Sequence, residues 1–532
     1  MIWKNNEKVI MDEDTRKFSG PVHECCPETS DEELRQQHGQ RLRSRNLGSQ
    51  NGTEKRSWGM KKKLPVFGMR IRLCSGFNQV LITSFVCFCC PGFFNALSAL
   101  GGAGQHDSTS SAAANAALYA TFAIFGYLGG AFFALFGGRI LMACGGLTYA
   151  FYAAAAYISG SYEGYNWLFV LSGAVLGIGA SWLWTAQGAL MLAYSPLDED
   201  EGTGRVQQRG RGFYIATFWT IFNVGGLLGG FIQFGLNYSE TNGNANVGSY
   251  CVFIAVMLLG SLTAFFCILD PSRVVKEDGT RVIVPSPKSP REEFSNVASV
   301  ISDPNMLLLS GLFFGSNFFY TYTFDGINGF MFNLRTRGLN SSMYWAAQMI
   351  GAVLIGWIVD NKQWMIGKRA LMGFTVVAGS VNIFYALGCY LEYFTLAKFN
   401  KNNIFEPLLD FTDTGYFFPC SVFVLYGLGD SMIQAFAYWL MGAIAKDDPA
   451  LCARYTGFYK GVQSLGAALA WTLDIKQINV PYIYQFWCCW ILFIAALPTT
   501  FLVVRKISLE ESLKHLTSSS NTPNIDNQIP LE

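Results

Sequence analysis

Charge is scarce in this 532-residue sequence: 14% of its residues are charged, against about 25% in an average soluble domain. The charged residues are concentrated in residues 1–72 and 505–532, and long stretches between them carry almost none. The formal net charge of +1 gives no sign of the basic face that nucleic-acid binding needs. The sequence therefore predicts a membrane protein whose main surroundings are the lipid bilayer, without a nucleic-acid partner.

The residue sets of common enzymes and metal sites are also missing. The fourteen cysteines form no paired CxxC pattern, which argues against a zinc site. Gly101, Gly102 and Gly104 lack the G-x-G-x-x-G spacing and have no flanking strand that would support nucleotide binding. The histidines lie only in the tails or in a predicted outer loop: His23, His38, His106 and His515. We therefore predict no enzymatic activity, no metal and no cofactor.

Long apolar runs are abundant, and 51% of the residues are hydrophobic. A helix that crosses a bilayer needs about 20 predominantly apolar residues. Twelve segments approach this requirement and are numbered as helices 1 to 12: 73–100, 112–136, 140–160, 167–194, 213–236, 250–269, 305–324, 343–359, 370–391, 420–444, 456–474 and 483–504. The predicted fold class is therefore an all-α membrane protein with about twelve transmembrane helices.

The positions of Lys and Arg orient these helices, because cytoplasmic loops of membrane proteins carry an excess of both residues. With the N-terminus inside, about 22 of them fall in inner flanks and loops and about 5 in outer loops. We therefore predict that both termini are cytoplasmic, in a plasma or internal membrane that the sequence does not specify. Two N-x-S/T sequons then lie in outer loops, and glycosylation is predicted at Asn237 and Asn340.

Short strings recur between the two halves of the chain. Residues 177–181 of helix 4 resemble residues 427–431 of helix 10, and residues 212–214 resemble residues 457–459 at the starts of helices 5 and 11. The matches come in the same order and at the same helix boundaries, as in transporters that are built from parallel repeats. The sequence therefore predicts two six-helix halves, a layout that resembles the major facilitator superfamily.

Five segments follow from this layout. They are a disordered cytoplasmic N-terminal tail at 1–72, an N-terminal half at 73–270, a cytoplasmic linker at 271–304, a C-terminal half at 305–504 and a cytoplasmic C-terminal tail at 505–532. The tail at 1–72 contains too little apolar material to offset the entropy of ordering it.

The inner loops after helices 2 and 8 resemble the conserved inner-loop motif of that superfamily. The second loop has Asp360, followed by Lys368 and Arg369, whereas the first has Arg139 but carries Ala134 where the motif has an acidic residue. The resemblance implies gating roles for Arg139, Asp360, Lys368 and Arg369, with a latch favoured in the C-terminal half.

Three longer strings resemble a narrower branch, the Unc-93-like family in its fungal form. They lie at 91–102, 185–194 and 332–340, and the resemblance extends from about residue 70 to about residue 500. It implies the twelve-helix facilitator-type fold. It does not imply a substrate, since some animal relatives regulate channels or escort receptors and most fungal relatives have no assigned cargo.

Two charged residues lie inside predicted spans, Asp430 in helix 10 and Lys460 in helix 11. An ionisable residue at mid-membrane costs about 2.5–3.5 kcal/mol on insertion scales. The matching first-half positions hold Ala180 and Ile215, so the fold itself does not require charge there. Asp430 is predicted to bind a proton or cation with Lys460 as counter-charge, and the alternatives are a structural ion pair or unrelated roles. At about 1.5 Å per residue, they lie roughly 20 Å and 9 Å from the inner helix ends, which leaves direct contact open.

Helices 1, 4, 7 and 10 are expected to line a path between the halves, with Asp430 and Gln187 as its main polar residues. The predicted substrate-binding residues are Asn95, Gln187, Asn223, Asn317, Tyr320, Asp430, Gln434 and Lys460. The favoured function is transport of an unidentified small solute by alternating access, with proton coupling as an option. The alternative is a non-transporting membrane protein that regulates or escorts a protein partner.

Overall fold

A computed structural model of the chain describes residues 63–66, 69–99, 108–195, 210–239, 247–276, 281, 290–394, 408–446, 448–475 and 477–520. These residues belong to one compact unit, Lys62–Glu532. Apart from one short hairpin, the regular structure of the described residues is helical.

The described helices follow the predicted order. Helix 1 consists of three consecutive segments, Gly76–Cys87, Phe88–Gly92 and Phe93–Ala99. Helix 2 starts as Ser108–Tyr127 and ends within Gly129–Ser161, which also contains helix 3. Helices 4, 5 and 6 are Asn166–Tyr194, Arg211–Leu236 and Val247–Cys267. A linker helix, Pro290–Ile301, precedes helix 7, which comprises Pro304–Gly315 and Tyr322–Gly329; helices 8 to 12 are Leu334–Val359, Ile366–Phe394, Phe417–Ala445, Pro449–Thr472 and Tyr482–Ser520.

Within the described part of the chain, nine helices are long and apolar enough to cross a membrane, or ten if a bent pair at the start of helix 7 is counted as one span. The segment Gly129–Ser161 is counted as one of these helices. It contains parts of two, because Gly137 interrupts the helix with a φ of 75°. A residue with a side chain rarely adopts this angle, so glycine permits the turn between helices 2 and 3. Together with helices 2, 7 and 11, these helices match the twelve predicted segments.

Helices 1 and 7 deviate from regular α-helix where they pass the centre of the bundle. Helix 1 contains a π-helical turn at Phe88–Gly92 that includes Pro91, as expected where proline removes a backbone donor. Helix 7 passes from Pro304–Gly315 through a turn into a π-helical segment, Tyr322–Gly329. Such π-helical segments frequently occur at functional sites.

Several predicted boundaries were wrong because capping side chains start helices within polar sequence. Helix 8 begins at Leu334, not 343, where the Asn333 side chain accepts a hydrogen bond from the Thr336 amide. Helix 11 begins at Pro449, not 456, after an Asp448 cap. Such caps satisfy amide groups that the first helical turn leaves open.

The predicted tails also contain ordered structure in the parts that the structure describes. Lys63–Val66 and Met69–Arg72 form an antiparallel pair, and helix 12 continues to Ser520. The rest of the predicted tail at 1–72 lies outside the described residues.

The two halves meet along helices 5 and 8 and along helices 2 and 11. Glycine allows close approach in both places, since a side chain on Gly126 would collide with Gly461 and one on Gly226 would collide with Trp345. Small residues let membrane helices approach in this way. We call the end of the bundle that carries residues 271–276 and 290–303 the linker side and the other end the opposite side.

Candidate functional site

The Asp430 carboxylate lies at the middle of helix 10 and is 1% exposed. Its Oδ2 accepts hydrogen bonds from the Tyr320 and Tyr344 hydroxyls, both at 3.1 Å, and from Gln348 Nε2 at 2.7 Å. Its Oδ1 accepts one from Gln434 Nε2 at 2.7 Å. Four donors from helices 7, 8 and 10 therefore surround this acid, and hydrogen bonds of this kind favour the charged form of a carboxylate.

Lys460 lies on helix 11 and is 3% exposed. Its ammonium group donates to Gln463 Oε1 at 2.7 Å and to Gln434 Oε1 at 3.3 Å. The rings of Trp184 and Tyr459 lie 4.6 and 4.7 Å from Nζ, within the range of cation–π attraction. Amide oxygens and aromatic faces thus replace the water that this cation would otherwise bind.

Gln434 bridges the two charged residues. Its amide nitrogen donates to Asp430 and its amide oxygen accepts from Lys460. Because helix 11 starts at Pro449, Lys460 is roughly 16 Å into the helix by the α-helical rise. It is therefore deeper than its predicted 9 Å, which brings it within reach of the Asp430 network.

A small cavity lies beside this network, between the two halves. The space open to water-sized spheres is about 50 Å³, enough for a few water molecules. Its polar lining comprises Asn95, Tyr119, Asn317, Tyr320, Gln348, Gln434, Lys460 and Gln463. Its aromatic lining includes Phe94, Phe122, Tyr149, Trp184, Trp219, Phe222 and Trp345. Helices of both halves contribute, so a relative movement of the halves would change its shape.

Three buried polar atoms of the lining residues have no hydrogen-bond partner among the described residues. They are the indole nitrogens of Trp219 and Trp345 and the Oε1 of Gln348. A buried donor or acceptor without a partner costs about 1–3 kcal/mol. Water or a bound solute in the cavity would remove this cost.

The structure brings most of the predicted substrate-binding residues together. Asn95, Asn317, Tyr320, Gln434 and Lys460 line the cavity. Asp430 lies directly behind Tyr320 and Gln434, which are hydrogen-bonded to it.

Gln187 and Asn223 are not among the residues that line this cavity, and their substrate-binding roles stay predictions. Gln187 lies one turn from Trp184 toward the linker side, where its amide contacts Met191 Sδ at 3.5 Å. Asn223 follows Phe222 in helix 5 and is turned about 100° from it.

Sequence reasoning missed Gln463 and Tyr344. Gln463 lies three residues after Lys460, a spacing that places both on one face of helix 11, and this signal was available. Tyr344 and Gln348 lie on helix 8, four residues apart, and appear in the sequence only as part of a family resemblance. Their shared partner, Asp430, is a tertiary contact.

Asp360 joins the two halves on the linker side. The carboxylate follows the end of helix 8 and accepts hydrogen bonds from the amides of Gly212 at 2.7 Å and Phe213 at 2.6 Å, in the first turn of helix 5. A negative charge is favourable at a helix N-terminus. Asp360 thus contacts the other half on the linker side, and its gating role stays a prediction.

Contacts within one half are observed for the other three predicted gating residues. Arg139 is exposed and lies 5.9 Å from the Phe265 ring. Lys368 is exposed and lies 5.0 Å from the Trp364 ring. Arg369 is buried and donates to the Val359 carbonyl at 3.3 Å. Their gating roles stay predictions.

A second contact joins the halves on the opposite side. Asn328, in the π-helical segment of helix 7, donates to the Ala99 carbonyl at the end of helix 1, at 2.7 Å. The side-chain amide of Asn340 donates a 2.9 Å hydrogen bond to the side-chain oxygen of Asn328. The halves are thus in contact on both sides of the cavity.

The positions of both sequon asparagines argue against the predicted glycosylation. Asn340 is fully buried in helix 8 and also accepts a hydrogen bond from Tyr416. Asn237 is 1% exposed and donates to Gln233 at the end of helix 5. The outer loop predicted around Asn340 is helical and packed, so a glycan has no room on either side chain in this conformation.

Comparison with known proteins connects this architecture to a family. Residues 73–470 match the family model of the Major Facilitator Superfamily. The chain is 39% identical over 454 residues to UNC93-like protein 1 of Arabidopsis thaliana, covering 85% of this chain and 94% of that protein. It is 35% identical over 441 residues to an UNC93-like protein of Schizosaccharomyces pombe, covering 82% and 83% of the two chains.

A solved structure shows the same fold. The proton:xylose symporter XylE bound to 6-bromo-6-deoxy-D-glucose superimposes with a TM-score of 0.54, over 81% of this chain and 96% of that one. The two sequences are 12% identical, so the likeness concerns the arrangement of helices alone.

Proposed function

Because the chain belongs to the major facilitator superfamily and to its UNC93-like family, we propose that this multi-pass membrane protein transports a small solute by alternating access. The observation that carries the proposal is the polar cavity that both halves line. Residues that bind a solute between two moving halves can be exposed first to one side and then to the other.

Two interfaces would open in turn. Opening of the linker side separates Asp360 from the first turn of helix 5. Opening of the opposite side separates Asn328 from Ala99. The conformation described here, with both contacts formed, corresponds to an intermediate in which the cavity is closed. The excess of Lys and Arg near the linker side supports a cytoplasmic orientation of that side.

The lining favours a small organic anion with an apolar face. Lys460 is the charged residue of the lining. The Asp430 carboxylate lies behind the lining residues and already accepts four hydrogen bonds. The unpartnered indole N–H groups of Trp219 and Trp345 add donors for a carboxylate oxygen. The surrounding aromatic rings would contact the apolar part of the solute.

Uptake and export of labelled small carboxylic acids, measured in cells with and without the protein and then in proteoliposomes, test this proposal. We expect Lys460→Met to reduce transport at least tenfold, because the carboxylate of the solute loses the positive charge that binds it. Lys362→Met removes an exposed lysine outside the cavity and serves as the matched control. Equal losses in both variants would contradict the assignment of the solute site to Lys460.

The regulator or escort reading gives a different outcome in the same cells. Solute levels would be equal with and without the protein, and another membrane protein would co-purify with it in a fixed ratio. That result would overturn the transport proposal.

A further inference from the structure

A second buried carboxylate, Glu392, lies away from the cavity near the end of helix 9. It is 1% exposed, and among the described residues its one recorded hydrogen-bond interaction is with the Tyr322 hydroxyl, outside the geometry of an ordinary hydrogen bond. The structure also records no ion pair between Glu392 and a described Lys or Arg. Intramembrane acids are rare and usually serve a function, yet this one takes no part in the network around Asp430.

The groups that face Glu392 are neutral. They are Tyr322 of helix 7, Tyr426 of helix 10 and Cys389 one turn earlier in helix 9, with Cys489 of helix 12 close to the two tyrosines. The Tyr322 and Tyr426 rings lie 6.2 Å apart, and both hydroxyls lack a hydrogen-bond partner of ordinary geometry. Among the described residues, the surroundings therefore offer Glu392 no cation and only the weak interaction with the Tyr322 hydroxyl.

A charged carboxylate in such a place is strongly unfavourable. A buried charge without a partner costs several kcal/mol, and such a group becomes neutral instead. A sodium or calcium ion would require several oxygen ligands, and no group of three metal-ligating acidic, histidine or cysteine side chains occurs within the described residues. A bound proton is therefore the simplest occupant.

Glu392 is connected to the contact that closes the opposite side. Tyr322 begins the π-helical segment Tyr322–Gly329, and Asn328 of that segment donates to Ala99 across the halves. An ionised Glu392 would require water or a rearranged tyrosine hydroxyl, and either change displaces the start of this segment. Opening of the opposite side would in turn admit the water that an ionised carboxylate needs.

We propose that Glu392 is a proton-binding site whose protonation is coupled to the opening of the opposite side. The protonated acid stays neutral in the closed conformation, and on opening its O–H bond breaks and the proton passes to water. The coupling part of this proposal rests on the proposed transport function, and the binding part does not. It assigns proton binding to Glu392 in place of Asp430.

Infrared difference spectroscopy of the purified full-length protein in lipid nanodiscs tests the binding part. A protonated carboxyl has a C=O stretching band that an ionised one lacks. We expect such a band at neutral pH in the unmodified protein and its loss in Glu392→Gln. Glu163→Gln removes an exposed carboxylate outside the spans and is the matched control that should leave the band in place, while Tyr322→Phe should shift it without removing it.

Two results would overturn proton binding. One is a neutral-pH spectrum that Glu392→Gln does not change. The other is a band that disappears when sodium is added at constant pH, since a cation would then occupy the site. The Tyr322→Phe spectrum covers the case in which Glu392→Gln does not fold, because this variant keeps the acid: a band shift supports the site and an unchanged spectrum contradicts it.

Proteoliposomes test the coupling. In Glu392→Gln, solute exchange should continue, but accumulation driven by a proton gradient should fall at least tenfold. Gradient-driven accumulation equal to that of the unmodified protein would overturn coupling through Glu392. If no solute moves even in the unmodified protein, the transport proposal fails, and the infrared band still decides whether Glu392 binds a proton.

Discussion

The C-terminal half contains two carboxylates that are equally buried and very differently surrounded. Asp430 and Glu392 are each 1% exposed. Asp430 accepts four hydrogen bonds from three helices, whereas the interaction recorded for Glu392 among the described residues is a weak one with the Tyr322 hydroxyl. Burial disfavours the charged form of both acids. The hydrogen bonds around Asp430 oppose this effect more strongly than the single contact of Glu392 does.

This difference changes the role that each acid can have. Asp430 accepts four hydrogen bonds, so it serves best as a fixed hub that orients Tyr320, Gln348 and Gln434 around the cavity. Glu392 is suited to gain and lose a proton, because a structural change can supply or remove the water that its ionised form needs. The polar hub and the proton site are therefore separate in this half.

The largest expected effect is that of removing the Asp430 carboxylate. Asp430→Ala removes the acceptor of four buried donors, of which Gln434 Nε2 also lies 3.4 Å from Asn317 Oδ1. At about 1–3 kcal/mol for each of the other three, the folded state should lose about 4 kcal/mol or more. Thermal unfolding in detergent measures this loss. Asp430→Asn retains one carbonyl acceptor and should lose about half as much. A change below about 1 kcal/mol in Asp430→Ala would contradict the role of Asp430 as a hub.

A smaller effect is expected at Asp360, which also accepts two hydrogen bonds but lies partly exposed at the surface. Asp360→Ala should weaken the linker-side contact by about 2 kcal/mol, or roughly 30-fold in the ratio of open to closed molecules. Thr456, buried against Gly188 between the halves, reports on this opening. A cysteine at position 456 should react faster with a thiol reagent in the Asp360→Ala background.

Arg505→Ala is the control for this experiment, since Arg505 is an exposed cation on helix 12 with no predicted gating role. It should leave the reaction rate at position 456 unchanged. Equal rates in the Asp360→Ala variant and its parent would show that Asp360 does not hold the linker side closed.

The sequence predicts the fold better than it predicts the site, for a physical reason. Lipid requires each span to satisfy its own backbone hydrogen bonds, so apolar runs alone identify the helices. The errors fall where polar residues find partners within the protein. Asn333 caps helix 8 in a stretch with loop-like composition, and Asn340 is buried by contacts that no local pattern encodes.

For the site, charge inside a span was sufficient to identify Asp430 and Lys460. Their connection through Gln434 depends on how helices 10 and 11 pack. The same limit explains Gln187 and Asn223, whose residue types suggested cavity lining while their helical positions direct them elsewhere. Glu392 was overlooked because it lies at the end of an apolar run, where sequence alone does not separate a buried acid from a solvated one.

Glu392→Met is expected to change the free energy of unfolding much less than Asp430→Ala does. Replacing an unpartnered buried polar group by an apolar one of similar size is often neutral or stabilising. We therefore expect the free energy of unfolding to stay within about 1 kcal/mol of the parent at neutral pH. Thermal unfolding of both proteins, measured side by side, checks this. A loss of several kcal/mol would mean that Glu392 makes strong hydrogen bonds, and the difference between the two acids would disappear.

The smallest effect is expected at Asp410, an acid outside the spans on the opposite side. Partial burial favours its neutral form, but hydrogen bonds from Asn333 and Arg335, the latter at 2.8 Å from Nε, hold the pKa of Asp410 below its usual value. A depressed pKa stabilises the folded state above the unfolded-state value, and this stabilisation is lost as the pH falls. For a partly exposed ion pair it amounts to about 1 kcal/mol or less. The difference in unfolding temperature between the parent and Asp410→Asn should therefore shrink as the pH is lowered from 7 to about 3. A difference that stays constant would show that the Asp410 charge does not contribute to the free energy of unfolding. The hydrogen-bond donors around Asp410 would then differ from those around Asp430, because they would not stabilise the folded state measurably.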